Sequence, residues 1–286
     1  MCDDGGVGGG GTVAAVRLLV VGASGHLGGE VCRRARVAGH DVVGTYHRQS
    51  VPIDGVDWRR LDVRDGAAVR ALVTTVRPDA VVSSAYLYAD WAVTADGAAH
   101  VAAAAAERGA RLVHVSSDAV HGGRSQPYHD DEPPSPVFAY GAAKAAAETA
   151  VRLVDPSAAL VRTSLILGDE HSKQIRLCLD ALAGRAALYS DEVRCPVGVA
   201  DLADAVLELV AGDYAGTLNA GGPDGVSRLD LGRLVARRYG LDARRLRTMT
   251  IAESGGGRPA EIRLTGVRAA EVLRTRLRGA AELLAG

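Results

Sequence analysis

The sequence predicts an α/β fold, a doubly wound parallel sheet carrying a smaller C-terminal lobe. Two observations carry that expectation. Short runs rich in Val, Leu and Ala alternate with longer stretches of helical composition through about the first 170 residues. Strands separated by helices in this way pair in parallel, with helices on both faces. Past residue 170 the alternation loosens into helices separated by Gly and Pro turns, the pattern of an added lobe. A chain of 286 residues has room for such a sheet, a large core and a second lobe.

In chain order, residues 1–14 form a Gly-rich leader with too little apolar surface to fold, expected to be disordered. Runs 16–21, 41–46, 80–84, 111–116 and 158–163 are read as strands, because each is short and apolar enough to be buried on both faces. One more strand is expected just before Leu61-Asp62-Val63. Segments 28–38, 66–76, 95–108 and 138–153 have Ala-rich faces and are read as the intervening helices. The loop 118–137 holds Pro127, Pro133, Pro134 and Pro136 and is long for such a unit. Long loops at the carboxyl ends of parallel strands are usually functional. Helices are expected near 172–184, 200–211, 228–239 and 267–274.

Composition removes several classes of partner. The formal net charge is −1, so no global attraction to nucleic acid or to an anionic membrane is expected. Aromatic residues make up 4% and no basic segment is interleaved with them, which argues against a single-strand stacking surface. Cys2, Cys32, Cys178 and Cys195 are far apart without a CxxC pair, so neither a metal site nor a disulfide framework is expected. No apolar run approaches the length of a transmembrane helix. Asp3 and Asp4 stand where a secretory leader is basic. The expectation is a soluble, cytoplasmic protein.

Gly22-Ala23-Ser24-Gly25-His26-Leu27-Gly28 is a GxxGxxG turn. The spacing is weak by itself in a chain with 35 glycines, but it directly follows the first strand and opens the first helix. There the glycines permit a tight turn and close approach of a pyrophosphate, whose charge the helix N-terminus stabilises. The fold is therefore read as Rossmann-type. Residues 15–170 are assigned to a dinucleotide-binding domain and 171–286 mainly to a substrate-binding lobe, with 196–220 returning to the core domain. The second strand ends Gly44-Thr45-Tyr46-His47-Arg48, without the acid that binds the ribose 2′-hydroxyl of NAD; the next acid is Asp54. Arg48, with His47, is placed to pair with a 2′-phosphate, so NADPH is favoured and NADH stays open. Asp62, beside Val63, is placed to accept from the adenine amino group, with helix capping as its alternative, a task Asp65 suits better.

Tyr140-Gly-Ala-Ala-Lys144 stands out because the chain has two lysines, Lys144 and Lys173, against 31 arginines. Residues four apart share a helix face, so phenol and ammonium can point into one site. A nearby ammonium lowers a phenol pKa that is ordinarily about 10. Ser117, in Val115-Ser116-Ser117-Asp118 at the end of the fifth strand, can hydrogen-bond a substrate carbonyl beside that Tyr. Each feature has a plain alternative, an ordinary amphipathic helix and a serine turn.

Together these motifs resemble the extended branch of the short-chain dehydrogenase/reductase superfamily, from about residue 15 onward. Within it the chain is most similar to the dTDP-4-dehydrorhamnose reductase group, through Gly44–Arg48, Val115–Val120, Tyr140–Lys144, Arg162-Thr163-Ser164 and the stretch from Arg194 to Ala203. The resemblance implies that Ser117 orients the carbonyl, that Tyr140 donates the proton, and that Lys144 holds the nicotinamide ribose and lowers the Tyr pKa. Ser83-Ser84-Ala85 replaces the usual Asn-Ala-Ala, leaving cofactor contacts to the backbone, and His121 replaces an aromatic residue, which leaves the substrate open. Asp118 is followed by Ala119 rather than the Glu of the 4,6-dehydratases, and the epimerases' acid after the second strand is absent.

An NADPH-dependent reductase of a ketone on a nucleotide-activated deoxysugar, or of a related natural-product carbonyl, fits these features. A non-catalytic NAD(P)-binding regulatory partner and a sugar-nucleotide epimerase are the alternatives. Tyr86, Tyr88 and Trp91 cluster after the fourth strand, where Tyr86 and Trp91 are read as substrate contacts together with Asp118. Arg194 is read as a contact for the diphosphate. A homodimer is compatible with all of this.

Overall fold

The computed structural model describes residues 15–285, so the leader expected at 1–14 lies outside the described residues. Seven strands build the central sheet: β1 (Arg17–Val21), β2 (Asp41–Tyr46), β3 (Val56–Arg60), β4 (Ala80–Ser83), β5 (Arg111–Ser117), β6 (Ala159–Thr163) and β7 (Gly216–Ala220). Their spatial order is β7-β6-β5-β4-β1-β2-β3, and every neighbouring pair is parallel. The chain direction across the sheet therefore reverses at the β1/β4 boundary. A crevice opens at such a switch point, outside the carboxyl ends of the strands.

The continuous apolar runs reflect burial on two faces. Successive side chains of β1 alternate sides: Leu18 and Val20 join one core, Leu19 and Val21 the other. On the first face lie α1 (His26–Val37) and α6 (Val199–Ala211), which contribute Leu27, Val31, Leu202 and Val206. On the second lie α2 (Gly66–Val76), α3 (Gly97–Arg108) and α4 (Ala139–Val154), which contribute Val73, Val101 and Val151. Asp65 caps α2 by accepting from Ala68 N at 3.0 Å.

After β6 the chain leaves the sheet to build α5 (Lys173–Leu182), and it comes back through α6 and β7. It departs again for α7 (Arg228–Arg238), α8 (Val267–Val272) and α9 (Ala280–Leu283). α5 and α7 pack on each other around Ile175, Leu182, Leu231 and Val235, a third apolar cluster that is the core of the smaller lobe. Three two-residue ladders stitch this region together.

One helix starts differently from expectation. The segment read as 95–108 is entered through a π-helical turn, Ala92–Asp96. The Thr94 hydroxyl there donates to the Leu87 carbonyl at 2.8 Å and accepts from Leu87 N at 3.1 Å, while Asp90 accepts from Val93 N at 3.0 Å. These bonds fix the loop after β4 as a tight turn.

Candidate active site

The β1–α1 turn is shaped by what cannot fit there. Gly22 has φ +90, and a Cβ on it would lie 2.7 Å from Ala85 N, so the backbone after β4 closes directly over the turn. A Cβ on Gly28 would meet the Gly22 carbonyl at 2.3 Å. Gly22 N donates to Thr45 Oγ1 at 3.0 Å, which ties the turn to β2. Gly25 precedes α1 without a side-chain cap, so the first amides of the helix stay available to an anion.

A cleft of about 460 Å³ opens here, within the range of small-molecule sites. Its lining brings together Gly22, Ser24 and Gly25 from the turn, Tyr46, His47 and Arg48 from the end of β2, and Asp62 and Val63 after β3. Ser84, Ala85 and Tyr86 close the other side. Six expected cofactor residues lie off this lining: His26, Leu27, Gly28, Ser83, Tyr140 and Lys144. Leu27 is in the core beneath it, the His26 ring lies against Gly168, and the Ser83 hydroxyl pairs with His114 Nδ1 at 3.2 Å. Asp62 does not present a free carboxylate: Arg64 donates to it from Nε at 2.9 Å and Nη2 at 2.6 Å. That guanidinium first of all holds the Asp62 pKa down at about 2. Sequence reasoning missed Arg64, and the Asp-x-Arg spacing was the available signal.

Beyond Tyr86 at the edge of the cleft, β5 delivers Ser117, its last residue, and the first turns of α4 deliver Tyr140 and Lys144. Lys144 is buried and its Nζ donates to the Val115 carbonyl at 2.9 Å. Burial pushes its pKa down to about 8, and the Glu148 carboxylate acts in the opposite sense. Tyr140 corrects the expectation of a lowered phenol. Burial first, then Tyr86, raise its pKa, and Ser117 opposes them. The ammonium faces the Val115 carbonyl, so the desolvation of the ring prevails. Tyr140 consequently carries its proton at neutral pH, as a donor must. Ser117 Oγ accepts from Ala119 N at 3.2 Å and donates to Asp118 Oδ1 at 3.3 Å.

Aromatic rings wall this end. Tyr88 stacks on Tyr140 with centroids 4.7 Å apart at 21°, and Tyr86 and Phe138 flank the same ring at 5.7 and 6.1 Å. Trp91 stands half-exposed outside this group. Phe138, the only Phe in the sequence, was not anticipated.

Arg194 is turned inward rather than toward open space. It donates to the carbonyls of Val193, Ala260 and Pro259, at 2.7, 3.0 and 2.8 Å, and lies 3.8 Å from Asp118. Asp118 is buried and accepts from Ser164 Oγ at 2.6 Å. Beside them Glu192 is buried among Arg228, Arg194 and Arg258, at 2.9, 3.5 and 2.9 Å. Burial raises the Glu192 pKa, yet Arg228 and Arg194 outweigh it and the net direction is down. Arg258, about one-third exposed, also lies 4.7 Å over the Tyr189 ring. The partly open cation of this cluster is thus Arg258, a residue the sequence reading did not single out.

A Gly-rich turn opening a cleft of this size, with Ser117, Tyr140 and Lys144 gathered beyond Tyr86 at its edge, marks an α/β nicotinamide-dependent oxidoreductase of the short-chain type. The chain belongs to the family described as the RmlD substrate binding domain, which matches residues 16–280. It is 32% identical over 257 residues to a dTDP-4-dehydrorhamnose reductase of Mycobacterium tuberculosis, covering 83% of this chain and 80% of that protein. A dTDP-4-keto-6-deoxy-D-glucose reductase of Streptomyces niveus is 30% identical over 255 residues, covering 84% and 85%. The fold matches that of a Bacillus anthracis dTDP-4-dehydrorhamnose reductase solved with NADP, at TM-score 0.76, 22% identity and coverage of 94% and 97%.

Proposed function

We propose that this protein reduces the ketone of a nucleotide-activated deoxysugar with NADPH. One observation carries the reading: Tyr86, which lines the cleft together with Gly22, holds its ring 5.7 Å from the Tyr140 ring and 5.3 Å from Lys144 Nζ, and β5 ends beside them at Ser117. The cleft fits a dinucleotide, because uncapped α1 amides face it and Arg48 lines it near the end of β2. NADPH, when bound, supplies the hydride. Ser117 would hold the substrate carbonyl by a hydrogen bond, Tyr140 would donate its proton to the developing alkoxide, and Lys144 would keep a positive charge behind it. The aromatic wall of Tyr86, Tyr88 and Phe138 limits water at the phenol and offers a face to a sugar ring. The names of the relatives support a nucleotide-sugar substrate, and Arg258 with Tyr189 is the group we assign to its nucleotide end.

A cytoplasmic location and a homodimer belong to the same proposal, to be read by cell fractionation and by sedimentation. Among the described residues no helix is long and apolar enough to cross a membrane. The test is NADPH oxidation against a panel of 4-keto-6-deoxy nucleotide sugars. Turnover is expected with at least one of them, and Tyr140→Phe should lower it by about 10²–10⁴ while keeping NADPH affinity. An enzyme that binds NADPH yet turns over none of the panel contradicts the proposal.

A further inference from the structure

Tyr140 and Lys144 begin a ladder on α4 that continues, a turn at a time, through Glu148 and Arg152. Glu148 is fully buried, as is Arg162 on β6. The two form a bidentate pair, Nε to Oε1 at 2.9 Å and Nη2 to Oε2 at 2.8 Å. The Ser116 hydroxyl donates to Oε1 at 2.6 Å, and Arg152 donates to Oε2 at 3.2 Å. Arg162 Nη1 reaches the carbonyls of Asp130 and Glu132 at 3.3 and 2.9 Å. One carboxylate therefore joins α4 to β5 at the residue before Ser117, to β6 and, through Arg162, to the long loop 118–137.

Stability alone does not call for a carboxylate at such a place. A buried ion pair contributes little over well-packed apolar residues of the same volume. What distinguishes this pair is its position, one helical turn from Lys144 and hydrogen-bonded to the neighbour of Ser117. We propose that Glu148 is a positioning residue of the reduction, the buried negative charge that keeps the Lys144 ammonium and Ser117 in working register with Tyr140. The inference rests on the reading of Ser117, Tyr140 and Lys144 as the catalytic groups.

The titratable groups around Lys144 make Glu148 the one that matters. Tyr140 and Glu148 share its helix, Tyr86 places its ring centroid 5.3 Å from Nζ, and His114 faces it from β5. Burial holds His114 neutral, with a pKa of about 3. Glu148 is the carboxylate that opposes the burial of Lys144, and Arg162 and Arg152 beyond it bind its oxygens. Activity that needs the ammonium is lost as pH rises through the Lys144 pKa of about 8. Without the Glu148 charge that loss moves to lower pH.

The test is the pH dependence of kcat for NADPH oxidation in the wild type, Glu148→Gln, Ser116→Ala and Tyr140→Phe, with NADPH affinity and Tm measured for each. Glu148→Gln should move the alkaline limb down by about one pH unit, the effect of one neighbouring charge. Ser116→Ala keeps that charge and removes the link to β5, so kcat should fall about threefold to tenfold with the limb in place. A purely structural pair would lower Tm and move neither. An unmoved limb in Glu148→Gln overturns the proposal. If that variant does not fold, an unchanged kcat in Ser116→Ala overturns it. Near-normal turnover in Tyr140→Phe would instead remove the catalytic reading itself, whatever the Glu148 variant does.

Discussion

Arg48 lines the cleft beside His47, whose Nδ1 lies 4.0 Å from Asp62, a carboxylate already engaged by Arg64. A 2′-phosphate entering there meets a cation that no carboxylate neutralises among the described residues. Arg48→Ala should weaken NADPH about tenfold to a hundredfold, the range for losing a charged hydrogen bond, and leave NADH almost unchanged. The measurement is the ratio of the two dissociation constants, and an unmoved ratio removes Arg48 from the cofactor site. At this scale the sequence was legible for placement along one element: Tyr140 and Lys144 both stand on the first turns of α4. It was not legible where a side chain chooses among partners distant in sequence. Arg194 bonds the Pro259 and Ala260 carbonyls, 65 and 66 residues away, and nothing local announces that choice. The raised pKa of Tyr140 has the same origin, since it comes first from burial under other segments and then from Tyr86 in the loop after β4.

The β1–α1 turn is the element with the least tolerance. Gly28→Ala would drive a methyl to 2.3 Å from the Gly22 carbonyl, so either the turn or α1 must shift. The expected result is a loss of NADPH affinity of at least about tenfold and a destabilisation of about 1–3 kcal/mol, as for overpacking in a rigid site. Titration with NADPH and a urea midpoint decide it, and an unchanged affinity would detach the turn from the cofactor. Gly266 offers the control, because nothing stands within 4 Å of its missing Cβ and its φ of −101 suits any residue. The strands were legible for a related reason. Burial on both faces leaves runs such as 18–21 with no polar residue, and the helices between them repeat that simple pattern. β7 and the π-helical entry to α3 were not, since Gly216-Thr-Leu-Asn-Ala becomes a strand only by pairing with β6, and the π turn depends on Thr94 reaching back to Leu87.

For the molecule as a whole, two buried histidines are expected to contribute to the loss of stability in acid. Burial, before any neighbouring charge, pushes His114 to about 3 and His121 to about 4, and both ring nitrogens of His121 lack a hydrogen-bond partner among the described residues. Both are neutral in the folded chain, whereas in the unfolded chain they titrate near pH 6.5. Their contribution is complete above the unfolded value and is lost as pH falls through 6.5 toward the folded values. By about pH 4.5 the loss is on the order of 5 kcal/mol for the two together. Urea midpoints at about pH 7.5 and about pH 4.5 read it, and the drop should shrink in His121→Leu. A drop of the same size in that variant would assign the acid sensitivity to carboxylates instead.

The return of the chain to the sheet has a consequence for its birth. β7 pairs along the whole of β6, yet α5, α6 and the short ladders separate the two in sequence. During synthesis, β6 leaves the ribosome long before its outer neighbour exists, and its backbone amides and carbonyls stand open along that flank. An open parallel edge invites pairing with another nascent chain. A chain stopped between β6 and β7 is therefore expected to be the sticky species of this protein, and crowded polysomes are where a chaperone has most to do.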